Sequence, residues 1–418
     1  MKSIFNYATL TSLGVFIFFA LALAVPSGYS YGAALLFLTS IFFLFRQGPT
    51  LQLSREDKGL VYVLLSIFLV SLVAFALQGN ELKTLDQTSR CLLAIPILLM
   101  LLGQPPKLGA LWAGMIVAGI SAAVVAAWQY HGLDVPRPTG YMTSAIPFGD
   151  ISLMAGILCV LAFPWAIKQA RYAAYWCVGL ILGCGGGVYA SIMSGSRGGW
   201  LAVPAVVILT CFCFATRKNY KKFCAGLGVV IAIAVALFSM PNSGLKYRYD
   251  LAVYQATQYF QEDDAIGTSV GVRLEAWRAA LISIPKKPLI GWGYAEYQSE
   301  IEQMAEAGKI YSYIPKMANT HNNYLEVWLH QGTIGLLALL MLYAVPFVYF
   351  YKRFRSPDRT VKILALSGTS LLSSFFIFGL TQVILGRNNG IVFFLLTLVI
   401  LWASLRHREG KIATHIRA

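Results

Sequence analysis

The sequence predicts an all-α integral membrane protein with about twelve transmembrane helices and one large helical loop outside the membrane. The chain has 418 residues, of which 57% are hydrophobic and only 12% are charged. Soluble proteins carry roughly twice that charged share. Apolar runs of about 17–25 residues, the length that crosses a ~30 Å hydrocarbon core, recur along the chain. A single long polar stretch, residues 241–332, interrupts them.

The apolar runs divide the chain into four parts. Residues 1–240 hold nine expected spans, 241–332 form the helical loop, 333–405 hold three more spans, and 406–418 form a basic tail. The shortest expected span is 91–102. The twelve spans are 10–25, 31–45, 60–77, 91–102, 108–128, 151–167, 173–193, 200–215, 223–240, 333–351, 363–384 and 391–405.

The distribution of charge predicts the orientation. The net charge is +15, which raises the possibility of nucleic-acid binding. With the N-terminus in the cytoplasm and alternating spans, the cytoplasmic side holds 20 Lys and Arg against 4 Asp and Glu. The other side holds 13 against 14. This asymmetry is the positive-inside pattern of membrane proteins, so it indicates topology and excludes nucleic acid as a partner. It also places the long loop on the outer side of the membrane.

The N-terminal residues and the cysteines each add an expectation. Lys2, followed by the first span, is typical of an uncleaved membrane anchor. The seven cysteines lie in or beside spans, which predicts neither a disulfide framework nor a cysteine-ligated metal.

A short loop between the seventh and eighth spans is the first candidate site. Residues 194–199 read SGSRGG, so their glycines allow a close backbone approach, and Arg197 offers a planar donor fork suited to phosphate. A tight turn whose arginine reaches the lipid headgroups explains the same residues equally well.

The long loop holds two further candidates. Arg273 precedes Trp277 by four residues, which places both on one face of a predicted helix and suits an anionic or sugar ligand. An amphipathic helix with a solvated arginine and a packed tryptophan is the alternative. His321 lies in residues 318–325 (ANTHNNYL), at the start of the tenth span. There it suits a general base near neutral pH, unless it is only a helix cap.

Other classes of site find little support in the sequence. The loop has no Asp-x-Asp and no carboxylate–histidine cluster with metal-ligand spacing, and residues 195–198 are too short for the nucleophile elbow of a serine hydrolase. The spans hold few acids, which disfavours an ion-coupled transporter.

Four motifs in order resemble the O-antigen ligase and polymerase family of bacterial envelope proteins. The similarity in topology covers the whole chain, whereas the motifs begin at Ser194. They are residues 194–200 (SGSRGGW), 271–277 (GVRLxxW), 288–293 (PLIGWG) and 321–336 (HNxxL, then GxxGL).

This resemblance implies a glycosyltransferase of GT-C-like architecture in the bacterial inner membrane, with its active site facing the periplasm. Its donor is a glycan linked to undecaprenyl diphosphate, and its acceptor is the lipid A–core oligosaccharide, another glycan or a protein side chain. The family further implies that Arg197 and Arg273 clamp the diphosphate and that His321 is the general base of an inverting reaction. We expect no cofactor and no metal.

Further substrate contacts are expected around these three residues. Arg387, in the turn between the last two spans, fits a third phosphate contact, and the neighbouring acidic position of some family members is Gln382 here. Asn322, Trp277, Trp292 and Tyr294 are the remaining expected substrate-binding residues. The short outer loop 131–150, with its single Arg137, favours the ligase branch. The rival classes are a transporter of the same lipid-linked glycan and a non-catalytic assembly scaffold.

Overall fold

The computed structural model of the protein describes residues 6–47, 53–215, 244–261 and 268–417, together with residues 221 and 228. Within these ranges the chain contains helices and no strand. The α-helices are α1 Tyr7–Ala22, α2 Gly28–Gln47, α3 Arg55–Gln78, α4 Asp86–Gly103, α5 Leu108–Ala127, α6 Ala145–Ala166, α7 Ala173–Ser194, α8 Arg197–Trp200, α9 Ala202–Phe214, α10 Gly244–Gln261, α11 Gly271–Ser283, α12 Tyr294–Glu306, α13 Asn323–Tyr351, α14 Arg359–Gly379 and α15 Asn388–Arg417.

The predicted fold class is confirmed. Ten segments of the described chain are long and apolar enough to cross a membrane, and α1 is a shorter apolar helix. Eleven of the twelve expected spans therefore fall on apolar helices. The remaining one, 223–240, lies outside the described residues.

Several helix boundaries differ from those expected from hydropathy, and three of these differences concern the expected spans 91–102, 333–351 and 363–384. The segment expected at 91–102 is part of a 22-residue span, Leu82–Gly103, because its polar first turns are helical too. Helix α13 begins ten residues before the expected position 333, and α14 ends at Gly379 instead of at 384. Both shifts place polar residues next to one another at the same end of the bundle, which hydropathy alone does not indicate.

Close packing between glycines holds α5, α6 and α7 together. A Cβ atom added at Gly119 of α5 would lie 2.0 Å from the carbonyl oxygen of Gly183 in α7. One added at Gly187 would lie 2.4 Å from the carbonyl oxygen of Ser152 in α6. Small residues let membrane helices approach this closely, where dispersion is a main source of attraction. Helices α6, α14 and α15 are the most enclosed of the bundle.

Ion pairs tie the helices at the end of the bundle that carries the α3 N-terminus, which we call the basic end. Arg353 bonds Glu56 at 2.9 Å and Glu409 at 2.9 Å. Asp57, buried in the first turn of α3, accepts from Trp402 at 2.9 Å and from Arg406 at 3.2 Å. These contacts join α3 to the ends of α13 and α15.

At the opposite end, the cap end, residues 268–322 form a helical cap with its own hydrophobic core. Helices α11 and α12 are its two longest helices, and α11 is the helix predicted to carry Arg273 and Trp277. Their apolar faces meet around Ile284, Trp292 and Ile301 and contact Leu329 of α13. The cap is therefore packed on the bundle through the first turns of α13.

A break in α13 fixes the cap in place. Gly332 interrupts the helix with φ 65° and ψ −167°, a combination that only glycine adopts readily. The backbone groups that the break frees form hydrogen bonds with the segment 288–293. The N–H of Trp292 donates to the carbonyl of Leu329 at 2.9 Å, and the N–H of Thr333 donates to the carbonyl of Pro288 at 2.8 Å.

Replacing Gly332 by Ala should loosen this junction. The new Cβ would lie 2.2 Å from the carbonyl oxygen of Leu289, and the backbone there is already in a glycine conformation. We expect the variant to lose about 3 kcal/mol of stability, measured by thermal unfolding of the purified protein in detergent. Gly185→Ala in α7 is the control, since a Cβ there meets nothing within 4 Å. Equal melting temperatures for the two variants would contradict the role given to Gly332.

Candidate active site at the cap end

His321 lies at the centre of the candidate site, in the loop that leads into α13. Its backbone has a left-handed φ of 55°, which is uncommon for a residue other than glycine. Its ring Nδ1 lies 3.2 Å from Oε1 of Gln382, in the turn after α14. Gln382 is buried. The early end of α14 is what frees this glutamine from a helix and lets it face the histidine.

The hydrogen bonds of Gln382 decide which ring nitrogen of His321 carries the proton. Oε1 of Gln382 also accepts the backbone N–H of Val383 at 3.1 Å, which identifies that atom as the amide oxygen. An oxygen can only accept, so Nδ1 of His321 must donate to it. The lone pair is therefore on Nε2, which is the ring nitrogen that can accept a proton.

The surroundings keep His321 neutral at pH 7. Burial lowers its pKa from the ordinary 6.5, and the positive charges of Arg273 and Arg387 lower the pKa further. Nearby cations and burial both disfavour the protonated ring. The same histidine is therefore available to accept a proton over the physiological range.

A buried network behind His321 holds its loop. The carboxylate of Glu326 accepts from the backbone N–H of Thr320 at 2.9 Å and from its hydroxyl at 2.8 Å. Its other oxygen lies 3.4 Å from Nε2 of His330, one turn along α13. Trp277 donates its indole N–H to the carbonyl of Thr320 at 2.9 Å. The residue before His321 is thus held from both sides.

Arginines from two other segments approach the same place. Burial and the positive charge of Arg137 lower the pKa of Arg273, which indicates that these two guanidinium groups are close. Arg137 donates to the carbonyl of Ser194 at 3.1 Å, at the turn that precedes Arg197. Arg137 thus bonds the turn at Ser194 and lies close to Arg273, and a grouping of positive charges attracts anions.

The turn at Arg197 is fixed against the turn that carries Gln382. Residue 197 begins the short helix α8 and is exposed. A Cβ added at the next residue, Gly198, would lie 2.4 Å from the hydroxyl oxygen of Thr381, the neighbour of Gln382. The glycine that was predicted to permit a close approach therefore packs against protein, and it brings the turn that carries Arg197 into contact with the turn that carries Gln382.

Arg387 borders a cavity of about 850 Å³, which we call the cap-end cavity. Its Nη1 donates to the hydroxyl of Thr143 at 2.7 Å, whereas its buried Nε has no hydrogen-bond partner in the described part of the chain. The upper wall is polar, with Asn80 and Lys83, and the lower wall is apolar, with Leu339 and Leu342. Such a gradient suits an amphiphilic ligand at a membrane surface.

The structure gives several predicted substrate contacts another explanation. Trp292 is only 7% exposed and donates its indole N–H to the carbonyl of Ser283 at 2.9 Å, so it belongs to the core of the cap. Asn322 accepts from the N–H groups of Tyr324 and Leu325, which makes it the N-cap of α13. The sequence left open that His321 is only a helix cap, but the residue that caps α13 is Asn322.

Tyr294 has a different environment. Its ring stacks on His330 with 3.9 Å between centroids, and it lines the cap-end cavity while remaining 47% exposed. It is therefore the aromatic residue of the predicted set that is placed to meet a ligand.

Sequence reasoning missed some residues of the site. Arg137 and Gln382 were noted only as features of loops, and Glu326 was not singled out. Asp150 of α6 lies fully buried beneath the turn at Gly199, and within the described ranges neither of its carboxylate oxygens has a hydrogen-bond partner. Its signal in the sequence was a lone acid at the start of an apolar span.

Comparison with known proteins identifies the domain that carries most of these residues. Residues 178–340 match the family model Wzy_C, described as O-antigen ligase. The matched stretch contains Arg197, Arg273 and His321, whereas Gln382 and Arg387 lie beyond it. The resemblance to this family predicted from the motifs is confirmed.

Three individual relatives are similar to the chain, and two of them have a functional description. The chain is 23% identical to an O-antigen ligase of Escherichia coli over 189 residues, which are 44% of this chain and 43% of that protein. It is 30% identical to the exopolysaccharide production protein ExoQ of Rhizobium meliloti over 104 residues, 24% of this chain and 23% of that protein. Similarity to a Haemophilus influenzae protein described as uncharacterized extends over 385 residues at 27% identity, 92% of this chain and 95% of the other.

The bond between His321 and Gln382 predicts a pH response. Replacing Gln382 by Glu puts a negative charge beside Nδ1, which stabilises the protonated ring and raises the pKa of His321. Because only the neutral ring accepts a proton, activity should fall as the pH drops through this pKa. The acidic limb of the pH profile of kcat/KM, which we expect below pH 6.5 in the wild type, should therefore move to higher pH in the variant.

Gln303→Glu, which adds the same charge on the exposed surface of α12, is the matched control and should leave the limb in place. An acidic limb unmoved by Gln382→Glu would show that His321 does not govern it.

Proposed function

We propose that this protein is an O-antigen ligase. It transfers a glycan from undecaprenyl diphosphate to a hydroxyl group of the lipid A–core oligosaccharide, at the periplasmic face of the bacterial inner membrane. The observation that carries the proposal is the neutral His321, oriented by Gln382 within reach of the charges of Arg273 and Arg387. A base and a phosphate-binding surface in one place are the two parts that this transfer needs.

In the proposed reaction, Nε2 of His321 accepts the proton of the acceptor hydroxyl. The oxygen attacks the anomeric carbon of the donor sugar from the side opposite the diphosphate, so the configuration inverts. The bond from the anomeric carbon to the diphosphate oxygen breaks, and its electron pair leaves with the diphosphate. His321 then releases its proton to water.

The arginines supply the electrostatic part of the proposed reaction. Arg197 and Arg273 hold the diphosphate, and the position of Arg137 beside both makes it a third donor. Negative charge grows on the leaving oxygen in the transition state, and fixed guanidinium groups stabilise it without reorganising. This role is the one that a divalent ion plays in other transferases.

The cap-end cavity is the proposed entrance for the acceptor. It opens beside Arg387 and Asn319, two residues from His321, and its polar upper wall can meet sugars. Its apolar lower wall can meet acyl chains, and Tyr294 offers a ring on which a sugar can stack. The donor then approaches from the side of Arg137 and Arg197.

An O-antigen or exopolysaccharide polymerase is the second candidate, favoured by the similarity to the exopolysaccharide production protein. A protein-directed oligosaccharyltransferase of the same family and a transporter of the lipid-linked glycan remain as rivals. Purified protein incubated in detergent with donor and each acceptor in turn separates them. The ligase forms product only with lipid A–core, and a transporter forms none.

Replacing His321 by Ala should lower transfer by about 10²–10⁴-fold, since a general base contributes roughly that factor. Initial rates are measured on purified protein, with glycan ladders on lipopolysaccharide as the assay in cells. His131→Ala, at an exposed histidine of the same end, is the control and should keep its activity. Undiminished ladders at normal protein levels in the His321 variant would remove this residue as the base.

Transfer should also proceed in EDTA. Among the described residues, no group of three His, Cys, Asp or Glu side chains is arranged to hold a metal ion, and the proposed charge stabilisation comes from arginine. We expect rates within about twofold of the untreated protein after dialysis against chelator. Loss of transfer that a divalent ion restores would contradict the arginine mechanism.

A further inference from the structure

A second cavity lies at the basic end, far from the candidate active site. It has a volume of about 580 Å³ and is formed by the α4–α5 and α6–α7 connections together with α14 and α15. We call it the basic-end cavity. The charge rule assigns this end of the bundle to the cytoplasmic membrane surface.

The wall of this cavity is positively charged and, over its described lining, contains no Asp or Glu. Lys107, Lys168, Arg359 and Lys411 all line it, and none of the four has an ion-pair partner among the residues that the structure describes. Arg408, also in the wall, is bonded to Asp358 at 2.7 Å, outside the cavity. The cavity therefore presents four uncompensated cations.

This arrangement is not a general property of the basic end. Elsewhere at that end Arg353 and Arg406 are matched by carboxylates on neighbouring helices. The positive-inside rule explains the excess of cations there, but it does not explain why the unmatched ones surround one hollow. A fixed group of like charges costs electrostatic energy unless an anion is bound among them.

An uncharged group in the wall independently indicates a polar ligand. Ser404 of α15 is 5% exposed, and its hydroxyl has no hydrogen-bond partner within the described part of the protein. A buried polar group is nearly always bonded in a native protein, and leaving one unbonded is costly. A phosphate oxygen inside the cavity would supply the missing acceptor.

We propose that the basic-end cavity binds a phosphate group, presented by the headgroup of an anionic phospholipid of the cytoplasmic leaflet. Trp165 in the wall and the apolar Leu108 and Ile363 fit the junction between headgroups and acyl chains, where tryptophan is enriched. Anionic lipids concentrate at the cytoplasmic surface, and each basic residue near it adds to their attraction. The same chemistry would accept a soluble phosphate, which the experiment separates.

The test uses the full chain, purified in detergent and stripped of lipid. Phosphatidylglycerol or phosphatidylcholine is titrated in mixed micelles, and binding is followed by the rise in melting temperature and by native mass spectrometry. Phosphatidylglycerol should bind at least tenfold more tightly than phosphatidylcholine. In the double variant Lys107→Gln with Arg359→Gln, the half-saturating concentration should rise about fivefold for each cation removed.

The matched control is Arg46→Gln with Arg171→Gln, which removes two exposed arginines of the same end outside the cavity. It should stay within about twofold of wild type. Ser404→Ala, which changes no charge, should weaken binding about threefold and provides a second readout if the double variant does not fold.

The source of the phosphate is decided by a parallel titration with inorganic phosphate and with glycerol 1-phosphate. Protection by phosphatidylglycerol alone supports the lipid, and equal protection by the soluble anions supports a site for a soluble phosphate. The proposal is overturned if no phosphate probe binds better than phosphatidylcholine. It is also overturned if the cavity variants lose no more affinity than the control.

Discussion

The backbone pairing between residues 288–293 and the break in α13 is the contact on which the candidate site depends. Gly332 turns the chain out of its helix, and the freed carbonyls of Leu329 and His330 bond the N–H groups of Trp292 and Gly293. Leaving such groups without hydrogen bonds in a membrane helix is costly. The break in α13 is therefore stable only when the segment 288–293 is bonded to it. The junction holds the cap at one position relative to the bundle.

That position brings together residues that are far apart in the sequence. The turns of α13 before Gly332 carry Glu326 and His330, which lie beneath the loop of His321. Trp277 of the cap bonds the same loop from above. A cap that moved by a few ångströms would separate Arg273 from His321. The pKa of His321 would then rise, because the charge of Arg273 would no longer lower it.

The candidate site combines a neutral histidine, His321, with several positively charged arginines. The positive charges of Arg273 and Arg387 disfavour protonation of His321, which keeps this histidine able to accept a proton. Glu326, the buried carboxylate nearest to the loop, bonds Thr320 and pairs with His330. It therefore stabilises the loop without neutralising the arginines. The side chain of Gln382 is an uncharged amide, so it bonds the ring without raising the pKa of His321 as a full negative charge would.

The site extends beyond the part of the chain that matches the family. Arg197, Arg273 and His321 lie within residues 178–340, whereas Gln382, Arg387 and Arg137 lie outside that stretch. Gln382 bonds the ring of His321, Arg387 lowers the pKa of that histidine, and Arg137 lowers the pKa of Arg273. Differences between family members in donor or acceptor should therefore be sought in the turns at 137 and 380–387 as well as in the cap.

The sequence by itself determined the membrane class, the approximate number of spans, the orientation expected from charge and the helical cap. The sequence determines these features because the hydropathy of each segment and the charges that flank it directly govern its insertion into a bilayer. It also picked out Arg197, Arg273 and His321, since each belongs to a short motif.

Tertiary structure alone decided that Trp292 packs in the core of the cap, that Gln382 bonds the ring of His321 and that Arg137 lies close to Arg273. These contacts join segments that are distant in the sequence, such as Gln382 and His321, which are 61 residues apart. No periodicity or spacing records such a contact, because it depends on where helices such as α13 and α14 begin, break and end.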